Sequence, residues 1–225
     1  MVLGAFGDSF IYGSDLHDCQ NSMASMSTYP ALIANNLELH YECNAYPGIG
    51  NHQILNILLD TLGAYDFYVI SWTWIDRFDY VDVTTDTWQT IRPTLDNKKI
   101  DDFYYRNLHS ELSDKQRTLG IIYQAVSFLE AHKCKYFMTY QDPLMLDQQW
   151  HCPPNVRLLQ SKIKQCLSTI DNMTFLEWAR SNRMEISGNL HPLEESHQKA
   201  AEYWLPTVKT LLNTRAKEDY LHAFK

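Results

Sequence analysis

Val2-Leu3-Gly4-Ala5-Phe6-Gly7-Asp8-Ser9-Phe10 is the stretch around which this 225-residue chain organises itself. Val2 to Phe6 is a short apolar run closed by turn residues, the pattern of a strand buried in a parallel sheet. Gly7-Asp8-Ser9 then ends the run. A serine at a strand-to-helix turn can present its hydroxyl to a cleft. The N–H groups of the turn that follows can face a developing oxyanion.

Downstream, further apolar runs alternate with helical periodicity. Strands are expected at Glu42 to Ala45, Phe67 to Ser71, Lys135 to Thr139 and Met173 to Leu176. Helices are expected at Tyr29 to Leu37 and His52 to Leu62, around Leu119, Ile122, Tyr123, Val126 and Leu129, and at Arg157 to Leu167. A final helix is expected from about Leu193 to Leu212, kinked or interrupted at Pro206. Tyr140 to Val156 reads as loop. This alternation predicts an α/β fold: three α/β/α layers around a mostly parallel sheet of four to five strands, flavodoxin-like in general plan. No linker or repeat divides residues 1–225, so one domain is expected. A loop or hairpin excursion is expected over 72–116. In such sheets ligands bind beyond the carboxyl ends of the strands. The turns at Gly7-Ser9, Pro47-Asn51, Ser71-Arg77 and Tyr140-Pro143 all belong to that edge.

Composition narrows the function. Hydrophobic residues are 45% and charged residues 20%, ordinary for a globular domain. The formal net charge of -8 opposes binding to phosphate backbones, so no nucleic-acid partner is expected. Lys98-Lys99 is followed by Asp101-Asp102 and reads as a solvated loop. The five cysteines have no CxxC spacing, which predicts reduced thiols and neither a disulfide framework nor a thiolate zinc site. No run reaches the length of a membrane span, and Met1 to Phe6 lacks a basic n-region. No membrane association and no signal peptide are expected, with synthesis in the cytoplasm. Asp76, Asp79, His151 and His191 are metal-ligand types, but no HExxH or HxH spacing joins them, so no metal is expected. Gly48-Ile49-Gly50 begins a dinucleotide-like string that fails at Gln53, so no cofactor is expected.

His191-Pro192 precedes the last helix, on the same sheet edge as Ser9. Histidine is the commonest general base near neutral pH. The other eight histidines, His197 among them, read as surface or cap residues.

An N-terminal strand ending in Gly-Asp-Ser, a glycine turn after the second strand and a His-Pro before the last helix together resemble the SGNH (GDSL-like) hydrolase family. The resemblance spans the chain and is strongest at Phe6 to Phe10 and His191 to His197. It implies that Ser9 is the nucleophile, His191 the base, and the N–H groups of Ser9 and Gly48 the oxyanion hole. It also implies that Asp8 braces the turn. Two positions depart from the family pattern. Ile75 stands where the third block carries an oxyanion-hole asparagine, which leaves Asn51, Thr73 or Arg77 to supply a donor. Gly188 stands three residues before His191, where the family places its triad aspartate. Glu185 and Asn189 are then the nearest groups to orient the imidazole.

The implied reaction is ester hydrolysis through a Ser-His dyad or a degraded triad. Trp72, Trp74, Phe78 and Tyr80 are expected to wall the cleft. Because indole and phenol faces stack on sugar rings, an O-acetylated carbohydrate or similar small acyl ester is the expected substrate. The alternative is a catalytically degenerate domain that binds carbohydrate or serves a structure. The Trp72-Thr73-x-x-x-Arg77 stretch looks like a bacteriophage branch of the family, which implies a virion or tail component, and self-association or a virion partner.

Overall fold

The computed structural model describes residues 1–19, 23–93 and 99–214. Its centre is a five-stranded parallel sheet in the order β2-β1-β3-β6-β7. The strands are β1 (Val2–Phe6), β2 (His40–Cys43), β3 (Phe67–Trp72), β6 (Tyr136–Tyr140) and β7 (Leu167–Ser168). Between β3 and β6 the chain adds an antiparallel hairpin, β4 (Phe78–Asp82) and β5 (Thr87–Ile91). The helices are α1 (Ser9–Tyr12), α2 (Tyr29–Asn36), α3 (Asn51–Asp60), α4 (Lys99–Asn107), α5 (Glu111–Ala131), α6 (Pro154–Ile163), α7 (Phe175–Ser181) and α8 (Glu194–Asn213).

Alternating side chains give the sheet two buried faces. Leu3, Ala5, Phe67, Val69 and Phe137 join one core with residues of α2, α7 and α8. Phe6, Tyr68, Ile70, Trp72, Met138 and Tyr140 join the other with α3, α5 and α6. All six residues of β3 are buried, as a central strand covered on both faces requires. The strand order reverses between β1 and β3, because β2 lies to one side of β1 and all later strands lie to the other. The crevice beyond that switch point opens directly after Phe6.

Several expectations change. Met173 to Leu176 is not a strand. Thr174 and Glu177 form a reciprocal capping box, which starts α7 at Phe175. The fifth strand is instead Leu167–Ser168, paired with Met138 and Thr139. Pro206 does not interrupt α8, which runs unbroken to Asn213. It sits on the exposed side with Glu202 and Tyr203, where a carbonyl freed by the missing N–H can meet water. The 72–116 excursion contains the hairpin, α4 and the start of α5, while 94–98 lies outside the described residues. Lys98 is therefore not described, and Lys99, Asp101 and Asp102 belong to α4 rather than to a loop. Tyr104 of α4 stacks on Phe78 at 4.7 Å, which ties that helix to the hairpin. The five cysteines are free thiols. No helix among the described residues is long and apolar enough to cross a membrane.

His197 is not on the surface. It is 1% exposed, and its Nδ1 accepts the Tyr29 N–H at 3.1 Å, joining α8 to the start of α2. Burial penalises its charged form and pushes its pKa down to about 3 from 6.5. Between those values the unfolded chain binds a proton that the folded chain refuses, so folding weakens as pH falls. The wild type is expected to lose stability by about 1.4 kcal/mol per pH unit below about 6.5 from this group. His197→Gln lacks that component. Urea unfolding at pH 7, 6 and 5 should show the gap between wild type and variant narrowing on acidification. A constant gap would contradict this assignment.

Candidate active site

Ser9 is the first residue of α1, directly beyond β1. The Asp8 side chain caps the helix by accepting the Phe10 N–H at 3.0 Å, which fixes the turn that presents Ser9. The helix lasts one turn. Gly13, at φ +75°, takes the left-handed conformation and redirects the chain toward Asp15.

His191 closes a tight loop held at both ends. The Ser187 N–H donates to the His191 carbonyl at 2.9 Å, and the His191 N–H donates to Ser187 Oγ at 3.2 Å. Ile186 and Pro192 bridge the two arms. Leu190 sits at φ +67°, a conformation that costs a non-glycine residue about 1 kcal/mol and is maintained here by that closure. Phe10 meets the imidazole edge-on, with centroids 5.4 Å apart, which restricts the ring's rotation.

The loop and the turn meet. His191 Nε2 lies 2.9 Å from Ser9 Oγ, and His191 Nδ1 lies 2.8 Å from Asp15 Oδ2. A carboxylate can only accept, so Nδ1 carries the proton and Nε2 is left to accept the Ser9 hydroxyl. Asp15 is not evident from the sequence around the histidine, because it lies six residues after the serine. Its position in the loop that leaves the Ser9 helix, just past Gly13, was the available signal. Burial alone would raise the Asp15 pKa, but hydrogen bonds from Ser187, His191 and Asn189 outweigh it and hold the carboxyl below its usual value. The group is thus ionised throughout the neutral range. Ser187 Oγ donates to Asp15 Oδ2, and the Asn189 amide lies 3.2 Å from that same oxygen. Asn189 therefore supports the imidazole through Asp15 and not by direct contact. Glu185 has an exposed side chain, and among the described residues its hydrogen bond is from the Leu193 N–H to its backbone carbonyl.

Asp8 is wholly buried and ties the strand ends together. Its Oδ2 accepts from Thr73 Oγ1 at 2.8 Å and from Arg77 Nη1 at 2.9 Å. Its Oδ1 accepts from Gln141 Nε2 at 2.7 Å, besides the Phe10 N–H. The same Arg77 nitrogen donates to the Ile49 carbonyl at 2.8 Å, which anchors the loop carrying Gly48. Asn51 Oδ1 accepts the Thr73 N–H, and its amide donates to the Thr73 and Trp74 carbonyls. Thus the side chains of Asn51 and Thr73, and Nη1 of Arg77, are spent on bracing. Ile75 is 3% exposed in the α3–α5 core and offers nothing polar from its side chain. The Ser9 and Gly48 N–H groups donate to no described residue. Gly48 is at φ +81°, a left-handed conformation that favours glycine.

Most of the aromatics expected to wall a cleft do not wall one. Trp72 is fully buried under the sheet, with its indole N–H on Met138 Sδ. Phe78 is consumed by Tyr104 and by the Arg117 guanidinium above its ring. Tyr80 shares the hairpin face of Phe78, turned toward α4, by the strict alternation of β4. Trp74 is half-buried and retains surface. The opposite hairpin face packs on the start of α3. There Asp79 accepts the N–H groups of Gly50, His52 and Gln53 at 2.9–3.0 Å. Asp79 therefore caps a helix, and His151 faces Glu111 at 3.1 Å, so the ligand types noted in the sequence are not brought together.

This architecture is similar to that of solved esterases. An acetyl xylan esterase from the rumen bacterium Butyrivibrio proteoclasticus aligns with a TM-score of 0.51 and 14% identity, over 94% of this chain and 64% of its own. A psychrotrophic esterase from Pseudoalteromonas sp. aligns at 0.54 and 10% identity, over 95% and 99%. A lipolytic protein of the G-D-S-L family from Desulfitobacterium hafniense aligns at 0.50 and 11% identity, over 91% and 98%. The chain has the fold of the G-D-S-L esterases. It spans less than two thirds of the acetyl xylan esterase and nearly all of the other two. No protein-family model and no curated protein matches the sequence of this G-D-S-L fold.

Removing the Asp8 charge should unfasten the edge on which the site stands. Asp8→Asn leaves Arg77, only 12% exposed, facing a neutral amide. Breaking one side of such a buried pair costs about 3 kcal/mol. Urea denaturation should show that loss, and a change below about 1 kcal/mol would refute the bracing role.

Proposed function

We propose that this chain is a serine esterase that cleaves small acyl esters, with an O-acetylated carbohydrate as the substrate class. The observation that carries the reading is the continuous relay Ser9–His191–Asp15, with contacts of 2.9 and 2.8 Å. In the first step His191 Nε2 takes the Ser9 proton while Ser9 Oγ attacks the ester carbonyl. The Asp15 carboxylate holds the imidazole in the required tautomer and stabilises the imidazolium that forms. The free N–H groups of Ser9 and Gly48 receive the oxyanion. Collapse expels the alcohol, which takes its proton from His191. A water then repeats the sequence on the acyl-serine and releases the acid. The carbohydrate part of the reading is supported by the acetyl xylan esterase similarity and by Trp74, which follows β3 and keeps part of its surface exposed.

A second reading, carbohydrate binding without turnover, draws on Ile75, which places no side-chain donor where the family keeps one. The Pseudoalteromonas enzyme is described as inhibited by monoethylphosphonate, which suggests the discriminating reagent. A phosphonate ester should label the wild type at Ser9, read by peptide mass. p-Nitrophenyl acetate should be hydrolysed by the wild type, and Ser9→Ala should be neither labelled nor active. Glycan-array binding with no label and no turnover would favour the second reading.

Asp15→Asn separates a triad from a dyad. Loss of the charge and of the tautomer lock is expected to lower kcat by on the order of ten-thousand-fold, with folding retained. A loss smaller than tenfold in steady-state kinetics would leave the relay at Ser9 and His191 alone.

A further inference from the structure

The proposed oxyanion site has two backbone donors, Ser9 and Gly48, while on the neighbouring loops the Asn51 and Thr73 side chains and Nη1 of Arg77 already hold other partners. One cation stands beside Gly48 without such an obligation. Arg92 follows β5 and continues the hairpin face of Trp88 and Thr90 by alternation. That face lies along the start of α3. Trp88 meets His52 edge-on at 5.1 Å, and Thr90 Oγ1 donates to Asp79 Oδ1 at 2.7 Å. One step further along, the Arg92 guanidinium covers Gly48, with Nη1 in the space that a Cβ on that glycine would enter. No carboxylate among the described residues pairs with Arg92, in a protein of net charge -8. A long, exposed cation held over a glycine by a docked hairpin is an unusual use of charge in an acidic chain.

The geometry points to Arg92 as the side-chain donor of the oxyanion hole, and this rests on the esterase reading above. Bond lengths put a Cβ about 2.5 Å from its own backbone nitrogen. Nη1, in contact with that place, is therefore within about 5 Å of the Gly48 nitrogen. Two donors that each reach an oxygen at about 2.9 Å can share it when they are up to about 5.8 Å apart. A single oxygen can thus accept from the Gly48 N–H and from Arg92 Nη1 together. When Ser9 Oγ bonds to the ester carbon, the C=O π pair moves to that oxygen. The fixed positive charge of Arg92 then faces a full negative charge that the ground state lacks, which selectively favours the transition state. The hairpin supplies from residue 92 what Ile75 does not supply from the third strand's loop.

The test uses p-nitrophenyl acetate, a neutral ester that offers the guanidinium no ground-state charge. Relative to wild type, Arg92→Ala is expected to lose about a hundred- to a thousand-fold in kcat, the usual effect of deleting one such donor, with KM changed less than about threefold. Arg92→Lys should keep an intermediate rate, and guanidinium ion added to Arg92→Ala should restore part of the loss. Because Arg92 is exposed, the thermal midpoint should stay unchanged. A kcat within about threefold of wild type, or a loss carried by KM with kcat intact, overturns the proposal. The latter, confined to negatively charged esters, would make Arg92 a substrate-charge reader instead. Failure of the esterase reading is seen separately: the wild type itself neither turns over the ester nor takes the phosphonate at Ser9, and the Arg92 assignment falls with it.

Discussion

The buried Asp8 carboxylate is the constraint on which the site depends. It is fully enclosed, yet it receives four hydrogen bonds, from Phe10, Thr73, Arg77 and Gln141. A carboxylate enclosed there without partners would be strongly unfavourable, so the turn after β1 and the loops after β3 and β6 must all deliver their donors. The turn after β1, the loops after β3 and β6 and, through Arg77, the loop after β2 are therefore held in one register. Ser9 is the neighbour of that anchor and inherits its precision.

The acid of the proposed relay shows how loosely a side chain's partners are tied to chain position. Asp15 comes from the Ser9 side of the sequence, but it is fastened by Ser187 and Asn189 from the His191 side. The contact therefore joins the two ends of the chain instead of bracing the histidine loop from within. A triad needs a charge behind Nδ1 at hydrogen-bond distance, and nothing in that requirement fixes which loop supplies it. Gly188, in the family's place for the acid, is simply part of a tight exposed turn.

The β4–β5 hairpin makes a comparable exchange. It docks by Asp79 on the start of α3, where three backbone N–H groups would otherwise lack partners. One hairpin face is spent on packing against α4. The other brings Trp88 and Arg92 along the segment that begins at Gly48. Of the aromatics read from sequence as a cleft wall, Phe78 and Tyr80 lie on the packed face and Trp72 is buried in the core, which leaves Trp74 with exposed surface. Neither Trp88 against His52 nor Arg92 over Gly48 was signalled by residue type alone.

Much of the fold could be read from the residues alone. The apolar run Val2–Phe6, the continuous burial pattern of Phe67–Ser71 and the 3.6-residue period of Leu119–Leu129 are local patterns, and local patterns survive without neighbours. The strand-end position of Ser9 and the pre-helical position of His191 follow from the same patterns. The Thr174–Glu177 capping box was also local, and was masked by the apolar residues around it. What tertiary structure alone decided is every partnership across long chain separations: Asp15 behind His191, Arg92 over Gly48, His197 sealed beneath Tyr29. Such contacts depend on directions of side chains after the sheet has closed and twisted, and no spacing in the sequence encodes them.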